Sequence, residues 1–251
     1  LNETELGILQ QCASEDMAEG SPVDLPPRPE WPGGWLLGKP DLVVTMPEAY
    51  SVPAESPDIY RNFVIPIPLT QARYIRAVDM NPGNFKVVHH AFIKFDQTHE
   101  SRRQDQKDSE PGFSGMPSKA KMPDGHFLTW QPGRMPAAGG GELAWLLEPG
   151  TDLVLEMHLR ASGKPEKLQS AVAFYFAEKP PTQQAFKSLL TSLTLDIPAG
   201  ATNYIVEAHF DLPIDVELTA ILPHAHFLAR RMEGWAVLPN GRKEPLLRIN
   251  D

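Results

Sequence analysis

Cysteine is almost missing from the chain, since Cys12 is the only one in 251 residues. A single thiol cannot form a disulfide within the chain, and no CxxC motif is present for zinc or c-type haem. Long apolar runs are missing too: the longest candidates, such as Ala171–Ala177, are strand-sized, well below the roughly 18 residues of a membrane span. We therefore expect no disulfide framework, no haem in this chain and no membrane span.

Basic residues are in the minority. Lys and Arg number 23 against 32 Asp and Glu, which gives a formal net charge of -9 and a pI near 5.4. This charge repels a phosphate backbone, so nucleic acid is not an expected partner. Hydrophobic residues make up 41% of the chain, which is enough to build a core.

Proline, by contrast, is abundant: the chain has 26, about 10% of its residues, against an average near 5%. Because proline breaks helix interiors and is spread along the whole chain, an all-helical bundle is excluded. Short strand-like runs recur from Lys39 onward, each bounded by Pro, Gly or Asp, a spacing typical of antiparallel sandwiches and barrels. The expected strands are Leu42–Met46, Asp58–Ile67, Arg73–Met80, Lys86–Phe95, Asp152–Leu159 and Ala171–Phe176, then Ser192–Ile197, Thr202–Asp211, Glu217–Leu222, His226–Val237 and Glu244–Ile249.

The N-terminal region has a different character. An amphipathic pattern predicts a short helix from the start of the chain to about Met17, with Asn2 as its cap and Glu5 completing a capping box. The stretch Gly20–Gly34 is rich in proline and glycine and is expected to be a linker or extended strap.

These patterns predict an all-β protein in three parts. Residues 1–38 hold the helix and the strap, residues 39–180 a first antiparallel β-sandwich, and residues 181–251 a second one that is short enough to be truncated. The polar stretch between Asp96 and Gly125 is expected to be a long, mobile surface loop. Because no leader sequence follows Leu1, we expect the chain to be an excised or mature piece of a longer protein.

Five of the eight histidines are candidate metal ligands. His89 and His90 are neighbours on a strand, where side chains alternate, so both can reach one metal only if the strand bulges or ends there. His158 lies on the strand face opposite the apolar residues, where a solvated histidine is the simpler explanation. His224 and His226 form an H-x-H, which places both imidazoles on one face. Neutral imidazole suits copper, zinc, iron or nickel, so the spacing alone does not choose the metal.

The ordered motifs HH, LEMHL and PHAHFLAR resemble the copper type II, ascorbate-dependent monooxygenase family of peptidylglycine α-hydroxylating and dopamine β-monooxygenases. The resemblance covers roughly residues 40–251. It implies two jelly-roll-like β-sandwich domains, each with one mononuclear copper. His89, His90 and His158 match the ligands of the electron-transfer copper, and His224 and His226 match the H-x-H of the oxygen-activating, catalytic copper.

The sequence of the strap (AEGSPVDLPP, then GWLLGKPDLVV) resembles the bacterial branch, in which such a module follows a c-type cytochrome domain. This resemblance implies a periplasmic or extracellular location and an electron donor such as ascorbate or a c-type cytochrome. The other implied partners are dioxygen and a small-molecule substrate. The family's methionine ligand to the second copper is expected beyond Asp251. Leu222 replaces the arginine with which the peptide-amidating branch holds its substrate, so a peptide C-terminus is not expected as the substrate.

Three functions therefore remain open. The leading one is a copper-dependent monooxygenase-like module that hydroxylates a C–H bond of a small substrate. The main alternative is a non-catalytic copper-binding, electron-transfer or interaction module. The third is a zinc hydrolase, which needs a carboxylate base beside three ligands, and Glu156 near His158 is the obvious candidate.

Overall fold

The structure is a computed structural model that describes residues 2–15, 20–25, 27, 34–115, 119–136, 141–192, 194–225 and 228–250. Strands dominate it and every strand pair is antiparallel, which confirms the all-β fold with a short N-terminal helix. The helices are α1 Glu3–Ser14 and α2 Glu100–Asp105, with 3-10 turns at Pro22–Asp24 and Gly141–Leu143. The strands are β1 Leu42–Thr45, β2 Tyr50–Val52, β3 Ile59–Pro66, β4 Arg73–Asn81, β5 Val88–Asp96, β6 Phe113–Ser114, β7 Thr129–Trp130, β8 Trp145–Leu147, β9 Asp152–Leu159, β10 Glu166–Leu168, β11 Ala171–Ala177, β12 Arg231–Val237 and β13 Lys243–Asn250.

Helix α1 begins as its sequence predicts. The Asn2 side chain accepts a hydrogen bond from the Glu5 backbone N–H, and the Glu5 carboxylate accepts one from the Asn2 N–H, which completes the capping box. Met17, the expected end of the helix, lies outside the described residues, and α1 ends at Ser14. No described helix combines the length and the apolar character needed to cross a bilayer.

The chain divides into two compact units, Leu1–Lys187 and Ser188–Asp251. The first unit is built on two sheets, one of four strands in the order β1-β11-β4-β8 and one of five in the order β6-β3-β9-β5-β7. Strands β2 and β10 form a small separate ladder. The six strands expected before residue 180 are all present with nearly the expected bounds.

One apolar core joins the two sheets face to face into a β-sandwich. Side chains that alternate along each strand fill it, because successive residues of a strand point to opposite faces. In β9, Leu153, Leu155 and Leu159 are fully buried and Met157 is 1% exposed. Opposite them, Phe174 of β11 is also fully buried. The chain has one cysteine, Cys12, which is exposed in α1, so no disulfide within the chain crosslinks this sandwich.

The outer face of the four-stranded sheet is covered by the segment 35–38. The Leu36 N–H donates to Asp79 Oδ2 at 2.7 Å, and the Tyr175 hydroxyl donates to the Gly38 carbonyl at 3.0 Å. Trp35 and Leu37 pack against the small apolar cluster of this face. Burial raises the pKa of the Asp79 carboxyl, although backbone N–H donors oppose that shift.

The polar stretch after Asp96 is more structured than its sequence predicts. It contains α2 and β6, and two buried carboxylates tie α2 to the sheet. Asp96, at the end of β5, accepts hydrogen bonds from Thr98 N and Oγ1, both at 2.7 Å, and from Ser101 N at 2.8 Å. Asp152, at the start of β9, is bound by Arg102 and by His99 Nδ1. The sequence does not show these anchors because they depend on which strand ends become neighbours.

The second unit differs from the expected sandwich. Its described residues contain one hairpin, β12–β13, whereas the strands expected over Ser192–Ile197, Thr202–Asp211 and Glu217–Leu222 are not formed there. Their apolar side chains are exposed, for example Ile205 at 79% and Leu218 at 57%. An alternating pattern forms a strand only where a ladder partner and a buried face are available, and the described part of this unit supplies neither for these segments.

The Asp96 carboxylate gives a pH-dependent prediction. Burial alone would raise its pKa, but the hydrogen bonds from Thr98 and Ser101 outweigh burial and lower the pKa from 3.8 to about 2. Because the folded-state pKa is the lower one, this stability is present above about pH 4 and is lost as the pH falls to about 2. We expect Asp96→Asn to lower the free energy of unfolding at pH 7 by about 2 kcal/mol.

The measurement is urea denaturation at several pH values between 7 and 2. The difference in free energy of unfolding between wild type and Asp96→Asn should shrink towards pH 2, where the wild-type carboxyl becomes protonated. Glu178→Gln, which changes an exposed carboxylate of the same unit, serves as the matched control. A gap that stays constant over this pH range would contradict the prediction.

Candidate metal centre

A β-bulge in β5 allows two adjacent histidines to share one face of the five-stranded sheet. In the ladder between β5 and β9, Val88 pairs with Leu159 and His90 pairs with His158, so His89 is the extra residue. Val88 points into the core with 2% exposure, whereas His89 is exposed and His90 half-buried. Two neighbouring histidines of a strand can reach one ion only if the strand bulges or ends there, and β5 bulges at this position.

Three imidazoles converge at this bulge. His89 Nδ1 lies 3.1 Å from His90 Nδ1 and 3.2 Å from His158 Nδ1. The ligand atoms of the three residues all lie within 4.8 Å of one another. The structure therefore brings together the three histidines that the sequence grouped at the first site.

The donor set fits a metal ion better than it fits hydrogen bonding alone. A neutral ring nitrogen has either one proton or one lone pair, so His89 Nδ1 cannot form good hydrogen bonds with both neighbours at once. An ion between the rings would instead use one lone pair from each. Metal–nitrogen distances of about 2.0–2.1 Å with angles of about 90° to 120° place two ligand nitrogens about 2.9–3.6 Å apart, which includes the separations seen here.

The electrostatics of the cluster favour neutral imidazoles. Burial lowers the pKa of His90, and the neighbouring rings of His158 and His89 lower it further, while Glu156 acts weakly in the opposite direction. A neutral ring keeps the lone pair that a metal needs. His158 is the most enclosed of the three, at 7% exposure, and His89 is exposed.

His158 is supported by two residues of the neighbouring chain segment. Its Nε2–H donates to Asp58 Oδ2 at 2.8 Å, and its ring stacks on Tyr60 with centroids 4.4 Å apart and an interplanar angle of 16°. The hydrogen bond from His158 lowers the pKa of the Asp58 carboxyl, so that carboxyl is ionised at neutral pH. The resulting carboxylate–histidine pair is the usual outer support of a histidine ligand.

Glu156, the carboxylate considered as a hydrolytic base, is already engaged. Its Oε2 lies 2.6 Å from Lys94 Nζ, and both side chains are mostly buried on the same sheet face as the histidines. A base that must accept a proton from a metal-bound water would first have to leave this ion pair. The zinc hydrolase alternative therefore gains no support from the position of Glu156.

The predicted second site is described only in part. His224 is exposed and lies outside the strands, and His226 lies outside the described residues. In the part of the chain that the structure describes, the cluster of His89, His90 and His158 is the only group of three or more His, Cys, Asp or Glu with ligand spacing.

Sequence reasoning missed Asp58 and Tyr60. Both belong to the strand expected over Asp58–Ile67, but only the register shows that Tyr60 lies opposite His158. The available signal was indirect: a histidine ligand needs an acceptor for its second ring nitrogen, and an acidic residue at the edge of an adjacent strand is a natural source.

Comparison with known proteins yields no match of any kind: no family model, no curated protein and no solved structure matches the chain.

The bulge leads to a prediction about deletions. Removing His89 leaves Val88 and His90 opposite Leu159 and His158, so the ladder becomes regular and the core residues keep their faces. We expect the deletion variant to fold with a free energy of unfolding within about 1 kcal/mol of wild type. It should lose the three-nitrogen cluster, and the metal affinity that this cluster provides should fall with it, as measured by chelator competition with Cu(II) as the probe ion.

Deletion of Ala91 is the matched control. Ala91 is fully buried. Its loss either moves the preceding residues of β5 to the wrong faces or, where the bulge absorbs the deletion, places the polar His90 ring in the core position of Ala91 opposite Met157. The free energy of unfolding of this variant, measured by urea denaturation, should be lower than that of wild type by more than about 3 kcal/mol, or the variant should fail to fold. Equal destabilisation by the two deletions would show that His89 is not an extra residue of the ladder.

Proposed function

We propose that this chain is a copper-binding module of a copper-dependent monooxygenase, in which His89, His90 and His158 hold the copper that stores one electron. The observation that carries the proposal is the convergence of three Nδ1 atoms at the β5 bulge. The order of the histidine motifs along the chain, which resembles the copper type II family, supports the same conclusion.

The chemistry of the donors favours copper over other first-row metals. An all-imidazole set suits both copper and zinc, but divalent copper binds such sites more tightly than zinc does. Glu156, the carboxylate considered as the base of a zinc hydrolase, is paired with Lys94, so its position gives that chemistry no support. When bound, copper would supply a one-electron couple, since imidazole ligands keep both of its common oxidation states accessible.

The protein residues define how such a site can be approached. His158 is enclosed and braced by Asp58 and Tyr60, whereas His89 is exposed to solvent. An external one-electron donor, such as ascorbate or a c-type cytochrome, would therefore approach from the His89 side. These donors, dioxygen, a small-molecule substrate and a periplasmic or extracellular location remain parts of the proposal.

Hydroxylation of a C–H bond additionally needs the second copper, for which His224 and His226 are the proposed ligands. The second candidate function is a non-catalytic copper-binding or electron-transfer module. It is favoured by one observation: the cluster of His89, His90 and His158 supplies a complete set of three ligands by itself. The number of coppers per chain separates the two functions.

The deciding experiment is elemental analysis of copper after reconstitution and removal of excess metal. The monooxygenase module should hold two coppers per chain, and His89→Ala and His224→Ala should each lose a different one. His209→Ala, which removes an exposed histidine of the second unit, should keep both.

The other outcomes are equally clear. A single copper that disappears only with His89→Ala would favour the non-catalytic module. No bound copper in wild type would overturn both candidate functions.

A further inference from the structure

Four polar or aromatic side chains form a continuous patch beside the histidine cluster. In the ladder between β3 and β9, Ile59 pairs with Leu159 and Tyr60 with His158, which places Asp58 across from Arg160. Because residues two apart share a strand face, Asp58, Tyr60, His158 and Arg160 all lie on the outer face of the five-stranded sheet. Asp58 is thus the diagonal neighbour of His158.

We propose that Asp58 is a positioning residue that fixes the tautomer of His158, so that the Nδ1 lone pair of this ring is directed at His89 and His90. The inference rests on the proposed copper function and extends it to a residue outside the ligand set. Asp58 would not touch the metal itself. Its action would pass through the ring of His158.

The argument begins with the hydrogen bond at the far side of the ring. An ionised carboxylate only accepts hydrogen bonds, so the 2.8 Å contact between His158 Nε2 and Asp58 Oδ2 requires the proton on Nε2. A neutral imidazole has a single N–H, and Nδ1 is therefore bare. The opposite tautomer would place a proton on Nδ1, 3.2 Å from His89 Nδ1, where the ion would lie.

Two further contacts hold this arrangement in place. Tyr60 stacks nearly parallel on the ring of His158 and so restricts rotation of the ring plane. Arg160 Nε lies 3.6 Å from Asp58 Oδ1, the oxygen that His158 does not use. That contact is long and both side chains are largely exposed, so the shorter bond to His158 is the dominant interaction of Asp58.

Because the Nε2–H tautomer of His158 is already selected in the metal-free protein, metal binding requires no additional free energy to select it. Outer partners of histidine ligands of this kind typically change metal affinity 10–100-fold when removed. A carboxylate partner also makes the imidazole a more basic ligand, that is, a stronger electron-pair donor to the metal. Such a ligand stabilises Cu(II) more than Cu(I). Loss of Asp58 should therefore weaken Cu(II) binding selectively and raise the reduction potential of the bound copper.

The test uses the full chain and three variants. Asp58→Ala removes both the acceptor and the charge, whereas Asp58→Asn keeps an acceptor oxygen but removes the charge. Glu55→Gln removes the charge of an exposed carboxylate three residues earlier and is the matched control. The first readout is the tautomer of His158 in the metal-free protein, from two-dimensional ¹H–¹⁵N spectra of the ring nitrogens at slightly alkaline pH. The second is Cu(II) affinity by chelator competition, with the reduction potential of the copper form.

We expect the Nε2–H tautomer of His158 in wild type, Asp58→Asn and Glu55→Gln, and a mixture of tautomers in Asp58→Ala. Cu(II) affinity should fall about 10–100-fold in Asp58→Ala and less in Asp58→Asn, with Glu55→Gln within about twofold of wild type. A tenfold selective loss of Cu(II) affinity corresponds to a rise in potential of about 59 mV.

Two results would overturn the inference: a protonated Nδ1 on His158 in the wild type, or Cu(II) affinity and potential in Asp58→Ala equal to those of Glu55→Gln. Failure of the proposed function would look different. In that case wild type would bind no copper, while the tautomer measurement on metal-free protein would still decide the role of Asp58.

Discussion

The candidate centre depends on one extra residue in β5. A regular strand would direct His89 and His90 to opposite faces and leave at most one of them beside His158. The bulge places both on the outer face while Val88 and Ala91 keep their places in the core. The site is thus added to the sandwich without removing any core contact.

The sandwich itself provides the rigid support that such a site needs. β9 is the central strand of the five-stranded sheet, and it pairs with β3 on one side and β5 on the other. The ligands come from β5 and β9, and the supporting residues come from β3 and the position just before it. Three neighbouring strands therefore fix all the groups of the cluster, and the buried core behind them limits their movement.

The outer faces of the two sheets are covered by different parts of the chain. Segment 35–38 covers the four-stranded sheet through Asp79 and Tyr175, while a small apolar cluster covers one end of the five-stranded sheet. There Val64 and Val154 pack under Phe113 and Ala120, and the opposite end of the same strands is the histidine end. The histidine cluster and this apolar cluster therefore lie at opposite ends of one sheet face.

Much of the first unit was predictable from sequence, because its strands are short apolar-rich runs that are bounded by Pro, Gly and Asp. Leu153 and Leu155 of β9 point into the core as their spacing predicts. The grouping of His89, His90 and His158 was implied by the resemblance of the motifs to the copper type II family, whereas the bulge that joins them and the partner Asp58 were not predicted, since both depend on register. In the second unit, apolar alternation such as that around Ile205 predicted strands for which the described residues offer no ladder partner.

The central place of β9 determines how the cluster responds to local unfolding. Backbone in the middle of a five-stranded sheet opens almost only with global unfolding, so His158 and its partners hold their places for as long as the sandwich is folded. His89, by contrast, lies on the exposed bulge, so the cluster combines an enclosed histidine on the central strand with one at the surface. Local opening elsewhere in the unit should leave the arrangement around His158 unchanged, and only unfolding of the whole sandwich should disperse it.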